Sequence, residues 1–368
     1  MRVLVLGGLG NFGARICKRL ALEPGMEVLA GSRSLPADTP FADSPVRLVR
    51  LDMDAADFPR QLLDLGVDLL IHCAGPFQQQ GYRVAEACCA AGVHYIDIAD
   101  GRDFVADFPA AMATRAETDG VCLISGASTV PALSSAVVDR LAEQFASIDG
   151  ISVAIAPGQQ APRGVATMRA VLSYAGKPFP RLRNGAWRTV YGWHDLRAIR
   201  FAGLGTRWGA ACDIPDLALF AQRYPTVKTI EFRAALELRV QHLVLWGLAG
   251  LRRLGVGLPL ECYAPRLEVF TRRYLDRFGG DRGGMMVRVS GRRPDGSPGY
   301  VTWHLTAPDG NGPEIPCMAA VLLALRMAAS GPPASGAFAC IGLLELDAFE
   351  PEFRRWGITT ELEEGDSR

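Results

Sequence analysis

The chain has 368 residues, 49% of them hydrophobic, and its 39 lysines and arginines balance its 39 aspartates and glutamates. That length fits two domains, or one with a large insertion, and the hydrophobic share is enough to bury a sizeable core. A net charge of zero argues against a nucleic-acid binder, which needs a basic face to neutralise phosphates, and leaves a small-molecule enzyme as the expectation.

The chain begins directly in a strand pattern, without the apolar length or cleavage site of a signal peptide. Strands are predicted over 3–6, 27–31, 46–50, 69–73, 94–98 and 121–125, with helices over 11–22, 58–65, 82–91 and 108–119 between them. Strand and helix alternating through short links is the signature of a doubly wound parallel sheet. After about Pro131 the texture changes. A helix over 133–145 and a strand over 151–156 lead into loops rich in Gly, Pro, Arg and Trp, and strand patterns return at 229–238, 285–291 and 300–307. The last two are joined by a turn-rich linker of hairpin type. A helix over 315–329, with Met318, Val321, Leu322 and Leu325 on its apolar surface, is expected to pack back on the first domain. The charged tail 361–368 is expected to fray.

Nine cysteines are scattered without a C-x-x-C pair, and the adjacent Cys88 and Cys89 suit neither a disulfide framework nor a zinc site. No metal is expected, and a reducing cytoplasm is. The nearest approach to a membrane segment is 242–251, followed by Arg252 and Arg253. It falls short of the roughly 18 apolar residues that span a bilayer. At most it would lie in an interface as an amphipathic helix, giving peripheral membrane contact.

The sequence LGGLGNFG over residues 6–13 carries the first chemistry. Gly7, Gly10 and Gly13 make G-x-x-G-x-x-G, while Gly8, Gly10 and Gly13 make G-x-G-x-x-G. In either register one glycine permits a tight turn, one lets a pyrophosphate approach the backbone, and Gly13 lets the helix pack close to the strand. Asn11 and Phe12 complete a helix start whose free N–H groups and positive dipole end suit phosphate. The second strand ends about 20 residues further on, where NAD-binding sites place an Asp or Glu against the ribose. Here Ser32, Arg33 and Ser34 stand instead. A guanidinium and two hydroxyls suit a 2′-phosphate, so NADP is expected rather than NAD. Asp52 follows the third strand and is assigned to the adenine edge. Cys73, Ala74, Gly75, Pro76 and Phe77 follow the fourth, where small residues let a backbone lie along the cofactor.

The runs HCAGPF (72–77), CCAAGVHYIDIADG (88–101) and GVCLISGASTVPALSS (120–135) resemble the saccharopine dehydrogenase-like family, whose nucleotide domain carries these motifs in this order. SYAGKPF (173–179), VYGWHDL (190–196) and EIPCMAAVLLA (314–324) extend the similarity to uncharacterised bacterial members. The resemblance implies a variant Rossmann domain completed by the C-terminal segment, with an inserted α+β domain for substrate and dimer contacts. The fold expected is therefore α/β: a doubly wound NADP-binding domain over 1–132 and 308–368, and an inserted domain over 133–307 with a mostly antiparallel sheet. A homodimer is implied by the family alone.

The reaction implied is hydride transfer between nicotinamide and a C=N or C=O bond of a small polar, amino-acid-like metabolite. The substrate-contact pattern of true saccharopine reductases is absent from the second domain, which points away from saccharopine itself. Period-two alternation puts Tyr95 and Asp97 on one face of the fifth strand, and Asp97 and Asp100 lie at or beyond its carboxyl end. Both are candidate catalytic or cofactor-pocket groups; the alternative for Asp97 is that it caps the following loop. Arg163, Arg169 and Tyr191 are candidate substrate groups, an arginine suiting a carboxylate. Tyr174, Lys177, Trp193 and His194 are further candidates on the substrate side. His72, His242 and His304 lie in apolar runs and read as core histidines. Tyr224 and Lys228 match the Y-x-x-x-K spacing of short-chain reductases, but Pro225 and the β-branched residues after it lead into a strand, so the match is accidental. The alternative to an active oxidoreductase is a nucleotide-binding relative with a structural, sensing or membrane-peripheral role.

Overall fold

Val3 to Leu6 form a run without a polar side chain, as expected of a strand covered on both faces. In the computed structural model, which describes residues 1–36, 38–78 and 80–366, this run is the inner strand β1 (Arg2–Leu6). There follow α1 (Asn11–Leu20), β2 (Glu27–Ser32), β3 (Arg47–Arg50), α2 (Phe58–Leu65), β4 (Leu69–His72), α3 (Arg83–Ala91), β5 (His94–Asp97), α4 (Arg102–Thr118) and β6 (Cys122–Ser125). The middle of the chain carries α5 (Ser134–Ala142), β7 (Ser147–Ala156), α6 (Val165–Tyr174), β8 (Pro178–Arg183), β9 (Ala186–Tyr191), β10 (Arg197–Phe201), β11 (Gly205–Ala211), α7 (Asp216–Arg223) and β12 (Thr229–Ala235). Last come α8 (Arg239–Arg253), α9 (Ala264–Phe270), β13 (Gly283–Arg292), β14 (Pro298–Ala307), α10 (Ile315–Ser330), β15 (Gly336–Ala339), α11 (Glu350–Arg355) and β16 (Thr359–Asp366).

The chain divides into two compact units, Met1–Ala132 with Glu314–Leu344, and Leu133–Pro313 with the segment from Glu345 onward. The first is a Rossmann-like sheet, all parallel, in the order β15-β6-β5-β4-β1-β2-β3. Its order reverses beside β1, between β2 and β4, and ligands of such sheets gather in the crevice beyond the carboxyl ends at that point. Leu4, Leu29, Leu70 and Tyr95 pack with Phe58 and Phe108 in its core. Helix α10 packs on α1: the Cys317 thiol lies 3.6 Å from the Phe12 carbonyl, and Arg15 pairs with Glu314. By length and composition the helix at Gly312–Ser330 is apolar enough to cross a bilayer, which corrects the reading of 242–251 as the nearest candidate. Its buried face, with Met318, Ala320, Val321 and Ala324, is that of a core helix.

Two elements of this unit differ from the sequence reading. Helix α4 starts at Arg102, not at 108, because Pro109 lies inside the helix rather than at its first turn. The sheet gains a seventh strand, β15, whose sequence GAFA lacks the β-branched residues that mark strands.

The second unit holds a sheet in the order β10-β11-β12-β7-β13-β14-β16, in which only β12 and β7 run parallel. A separate hairpin, β8–β9, turns at Asn184, whose φ is 51°. The tail is not frayed: β16 pairs with β14 from Thr359 to Asp366, and its Glu361, Glu363 and Glu364 place charge on a sheet edge. Residues 345–366 thus belong with the second sheet, a correction to their expected place in the nucleotide domain. Ser367 and Arg368, part of the same expectation, lie outside the described residues.

Candidate dinucleotide site

At the end of β1 the chain turns at Gly7, whose φ is 80°. The Gly7 and Gly8 N–H groups both donate to the Gly31 carbonyl, at 3.0 and 3.1 Å, and the Gly10 N–H donates to the Gly7 carbonyl at 2.9 Å. Helix α1 starts immediately after Gly10, with no acidic residue in its first turn. A Cβ on Gly13 would lie 2.3 Å from the Gly7 oxygen, and one on Gly7 would lie 3.0 Å from the Ala74 nitrogen. A Cβ on Gly8 would meet Ala30 at 2.7 Å. Between the two registers the geometry therefore chooses Gly7, Gly10 and Gly13 for the turn, while Gly8 packs on β2. A concave backbone cradle that side chains would fill, at a helix N-terminus without a carboxylate, fits the pyrophosphate of a dinucleotide.

At the end of β2, Ser32 is half-buried and Arg33 and Ser34 are exposed, with no carboxylate among them. The β2–β3 register sets Arg50 beside Ser32, and Arg50 is exposed as well. Sequence reading missed Arg50, because only strand pairing reveals the neighbour. Asp52 is exposed, and its Oδ1 accepts the Asp54 N–H at 3.1 Å, so it shapes its own turn.

The loop after β4 is clamped. The Cys73 N–H donates to the Leu6 carbonyl at 2.8 Å, and Gly75 donates to Cys73 at 3.1 Å. Gln80, not singled out in the sequence, donates from Nε2 to the carbonyls of Ala74 (2.8 Å) and Pro76 (2.9 Å). Phe77 is buried, its ring 5.0 Å from that of His72 and 5.4 Å from that of Phe104. Cys73, Ala74 and Gly75 thus form a fixed backbone wall beside Gly7.

Asp97 is fully buried, with 0% exposure. Its Oδ2 accepts the Tyr95 hydroxyl at 3.0 Å, and its Oδ1 accepts the Ala99 N–H (2.9 Å), the Ser125 hydroxyl (3.1 Å) and the Gly126 N–H (2.8 Å). Burial pushes the carboxyl up to about 6 against the pull of these donors. His72 Nδ1 lies 3.2 Å from the Tyr95 hydroxyl, and burial lowers its pKa to about 4, keeping the ring neutral. The carboxylate thus fastens the ends of β5 and β6, as a loop cap does, and none of it is exposed. Asp100 is half-buried, accepts the Gln78 side-chain amide at 3.0 Å, and is pushed upward by burial.

In the second unit Arg163 pairs with Asp276 and with the Gln159 carbonyl, which leaves it committed to its own loop. Arg169 is exposed on α6, and the Arg253 guanidinium stacks 4.3 Å over the Tyr191 ring. No described hydrogen bond or ring contact joins the three proposed substrate residues. The bend at 190–196 holds Trp193 and Asp195 at φ of 60° and 55°. Trp193 is buried edge-on against His242, 5.2 Å between centroids, and Asp195 receives Arg181 and Arg233. This motif is a structural corner. Tyr224 bonds Asp139 and Lys228 pairs with Asp149 at 2.7 Å, so they form no catalytic pair. Among the described residues no cluster of His, Cys, Asp and Glu suits a metal.

The family model of the saccharopine dehydrogenase NADP-binding domain matches residues 3–124. No curated protein sequence matches the chain. Among solved structures, apo saccharopine dehydrogenase (L-Glu forming) from Saccharomyces cerevisiae aligns with a TM-score of 0.69 at 12% identity, covering 99% of each chain. Homospermidine synthase from Legionella pneumophila, in complex with NAD, aligns at 0.62 and 10% identity, covering 100% of this chain and 91% of that one. DAP dehydrogenase from C. glutamicum, in complex with DAP, aligns at 0.50 and 19% identity, covering 95% and 98%. These structures share the fold across both units. With the glycine turn and the clamped loop after β4, residues 3–124 match a saccharopine dehydrogenase NADP-binding domain, and the chain has the fold of the solved saccharopine dehydrogenase.

Proposed function

We propose that this oxidoreductase uses NADP and transfers hydride to or from a C=N or C=O bond of a small, polar, amino-acid-like metabolite. The observation that carries the cofactor choice is the end of β2, where Arg33 and Arg50 are exposed and no carboxylate stands. A carboxylate there would bind the ribose of NAD and repel a 2′-phosphate; two guanidiniums favour the phosphate. The substrate class is supported by the names of two structural relatives, an L-Glu-forming saccharopine dehydrogenase and a DAP dehydrogenase in complex with DAP. Nine free cysteines support a reducing, cytoplasmic setting, and a homodimer remains part of the proposal by family likeness.

Hydride exchange is the chemistry that the nicotinamide supplies when bound. This chain's part is to hold and orient. Gly7, Gly10 and Gly13 with the first turn of α1, including Asn11 and Phe12, would receive the pyrophosphate; Ser32, Arg33, Ser34 and Arg50 the 2′-phosphate; Asp52 would border the adenine. The wall from Cys73 to Phe77 would run along the nicotinamide half. Asp97 acts as a positioning residue, keeping β5, β6 and the loops after them in register. Asp100, partly open and with a raised pKa, is the remaining carboxylate for proton exchange. Arg169 and Tyr191 are proposed on the substrate side; Arg163 would first have to leave Asp276.

Titration of the purified protein with NADPH and NADH, followed by nicotinamide fluorescence, tests the cofactor. NADPH is expected to bind at least about tenfold tighter, equivalent to about 1.4 kcal/mol. Tighter NADH would overturn the assignment. The burial of Asp97 favours one second reading, a nucleotide-binding protein without turnover. Oxidation of NADPH by any member of a panel of imines and keto acids would exclude it.

A further inference from the structure

Helix α8 is amphipathic in the wrong sense. Its polar-capable His242 and the small Ala249 are buried, while Val240, Val244 and Leu251, spaced along one face, are exposed together with Leu243 and Trp246. Core-facing helices do the opposite. The exposure is large: 74% for Val240 and 82% for Leu254 just beyond the helix. The following segment repeats the pattern, with Tyr263, Val269, Phe270, Tyr274 and Phe278 exposed and Ala264 and Thr271 buried. A stretch of this kind marks an interaction surface.

The charges select its partner. Between 239 and 278 the exposed charged side chains are all arginine: Arg239, Arg253, Arg266, Arg272, Arg273 and Arg277. The acidic residues of the stretch are half-buried and paired, Glu261 with Arg252, Glu268 with Arg272 and Asp276 with Arg163. The arginines are interleaved with rings: the Arg277 guanidinium lies 4.7 Å from the Phe278 centroid and Arg273 lies 5.7 Å from that of Tyr274. Against a second copy, a twofold interface would set this patch on itself, arginine facing arginine with no exposed carboxylate between. A phospholipid surface is complementary on both counts. Its phosphates accept guanidiniums, and Trp, Tyr and Phe side chains settle at headgroup depth.

We propose that the face formed by α8 and the segment 254–278 docks on an anionic membrane surface without spanning it. This docking is independent of the cofactor reading, and its failure would leave that reading intact. The test is flotation of the full-length protein with phosphatidylcholine vesicles, alone or containing about 30% phosphatidylglycerol. Partitioning is expected to be at least about tenfold greater on the anionic vesicles and to fall in about 0.5 M salt, where exposed charges are screened. The double variant Val244→Glu, Leu251→Glu should lose vesicle binding while NADPH binding, measured in parallel, shows that it is folded. Equal partitioning onto both vesicle types, or none onto either, overturns the proposal. A concentration-dependent dimer abolished by the same variant, with no vesicle capture, would overturn it in favour of a second copy.

Discussion

In the nucleotide unit the most enclosed charge-bearing group near the site is one carboxylate, Asp97, ringed by donors from Tyr95, Ala99, Ser125 and Gly126. In the second unit the enclosed charged groups include two guanidiniums. Arg181 and Arg233, each 2% exposed, meet Asp195 at 2.9 and 2.7 Å, and Arg233 also meets Glu231 at 3.1 Å. Burial works against ionisation of Asp195, yet Arg233 and Arg181 hold its pKa below the usual carboxylate range. The two solutions differ in how they fail. A carboxyl can take up a proton and shed its charge, whereas a guanidinium keeps its own and needs a partner at every pH. The first unit therefore has a pin that can shed its charge, and the second a clamp whose guanidiniums stay charged, which weakens only as its carboxylates protonate at acid pH and is intolerant of truncation.

Breaking the clamp gives the largest expected effect. Arg233→Ala leaves Asp195 and Glu231 short of a buried partner and should destabilise the protein by about 3–5 kcal/mol in chemical denaturation. A loss near zero would show that the network is ornamental. The pin predicts a pH profile. Asp97 titrates near 6 in the folded chain and at about 3.9 when unfolded. The folded state thus holds the extra proton between these values. Its contribution to stability is greatest below pH 4, falls by about 3 kcal/mol as pH rises to about 6, and is constant above. Denaturation midpoints measured from pH 4 to 7 should fall, with the buried carboxyl of Asp216, pushed up to about 7, adding a slope of the same sign. Asp97→Asn should remove the Asp97 share, and an unchanged slope in the variant would assign all of it elsewhere.

Smaller effects sharpen the nucleotide side. Gly13→Ala drives a methyl to 2.3 Å from the Gly7 oxygen. NADPH binding, read by fluorescence, should weaken about 100-fold, or about 2.7 kcal/mol. Arg50→Ala should weaken NADPH about tenfold, about 1.4 kcal/mol, and leave NADH unchanged. If both cofactors weakened equally, Arg50 would be serving the fold and not the phosphate.

The legibility of the chain follows the same division. The glycine turn, the strands β1, β2, β4, β5 and β6, and the absence of a carboxylate after β2 are local features, carried by residues a few positions apart. The β13–β14 hairpin was legible for the same reason, through its turn residues. What escaped was set by partners distant in sequence. Arg50 matters through its register beside Ser32, Gln80 through two carbonyls of a folded loop, and β16 through a neighbour more than fifty positions earlier. Asp97 was correctly seen on the face of Tyr95, but alternation along a strand does not say whether that face is open or filled. The donors that fill it include Ser125 and Gly126, which belong to the next strand and its end.

The split course of the nucleotide sheet bears on how the protein is made. Strand β6 has β15 as its outer neighbour, and α10 covers α1, yet both arrive after the inserted segment Leu133–Pro313. At a ribosomal pace of about 5–20 residues per second, the β6 edge waits on the order of 10–40 s for its partner. For that interval the emerging chain presents a buried-type strand, Cys122–Ser125, with one side unpaired. A nascent chain halted before Gly336 should therefore be a client of holding chaperones, and a circular permutant that starts at Glu314 should be released from them.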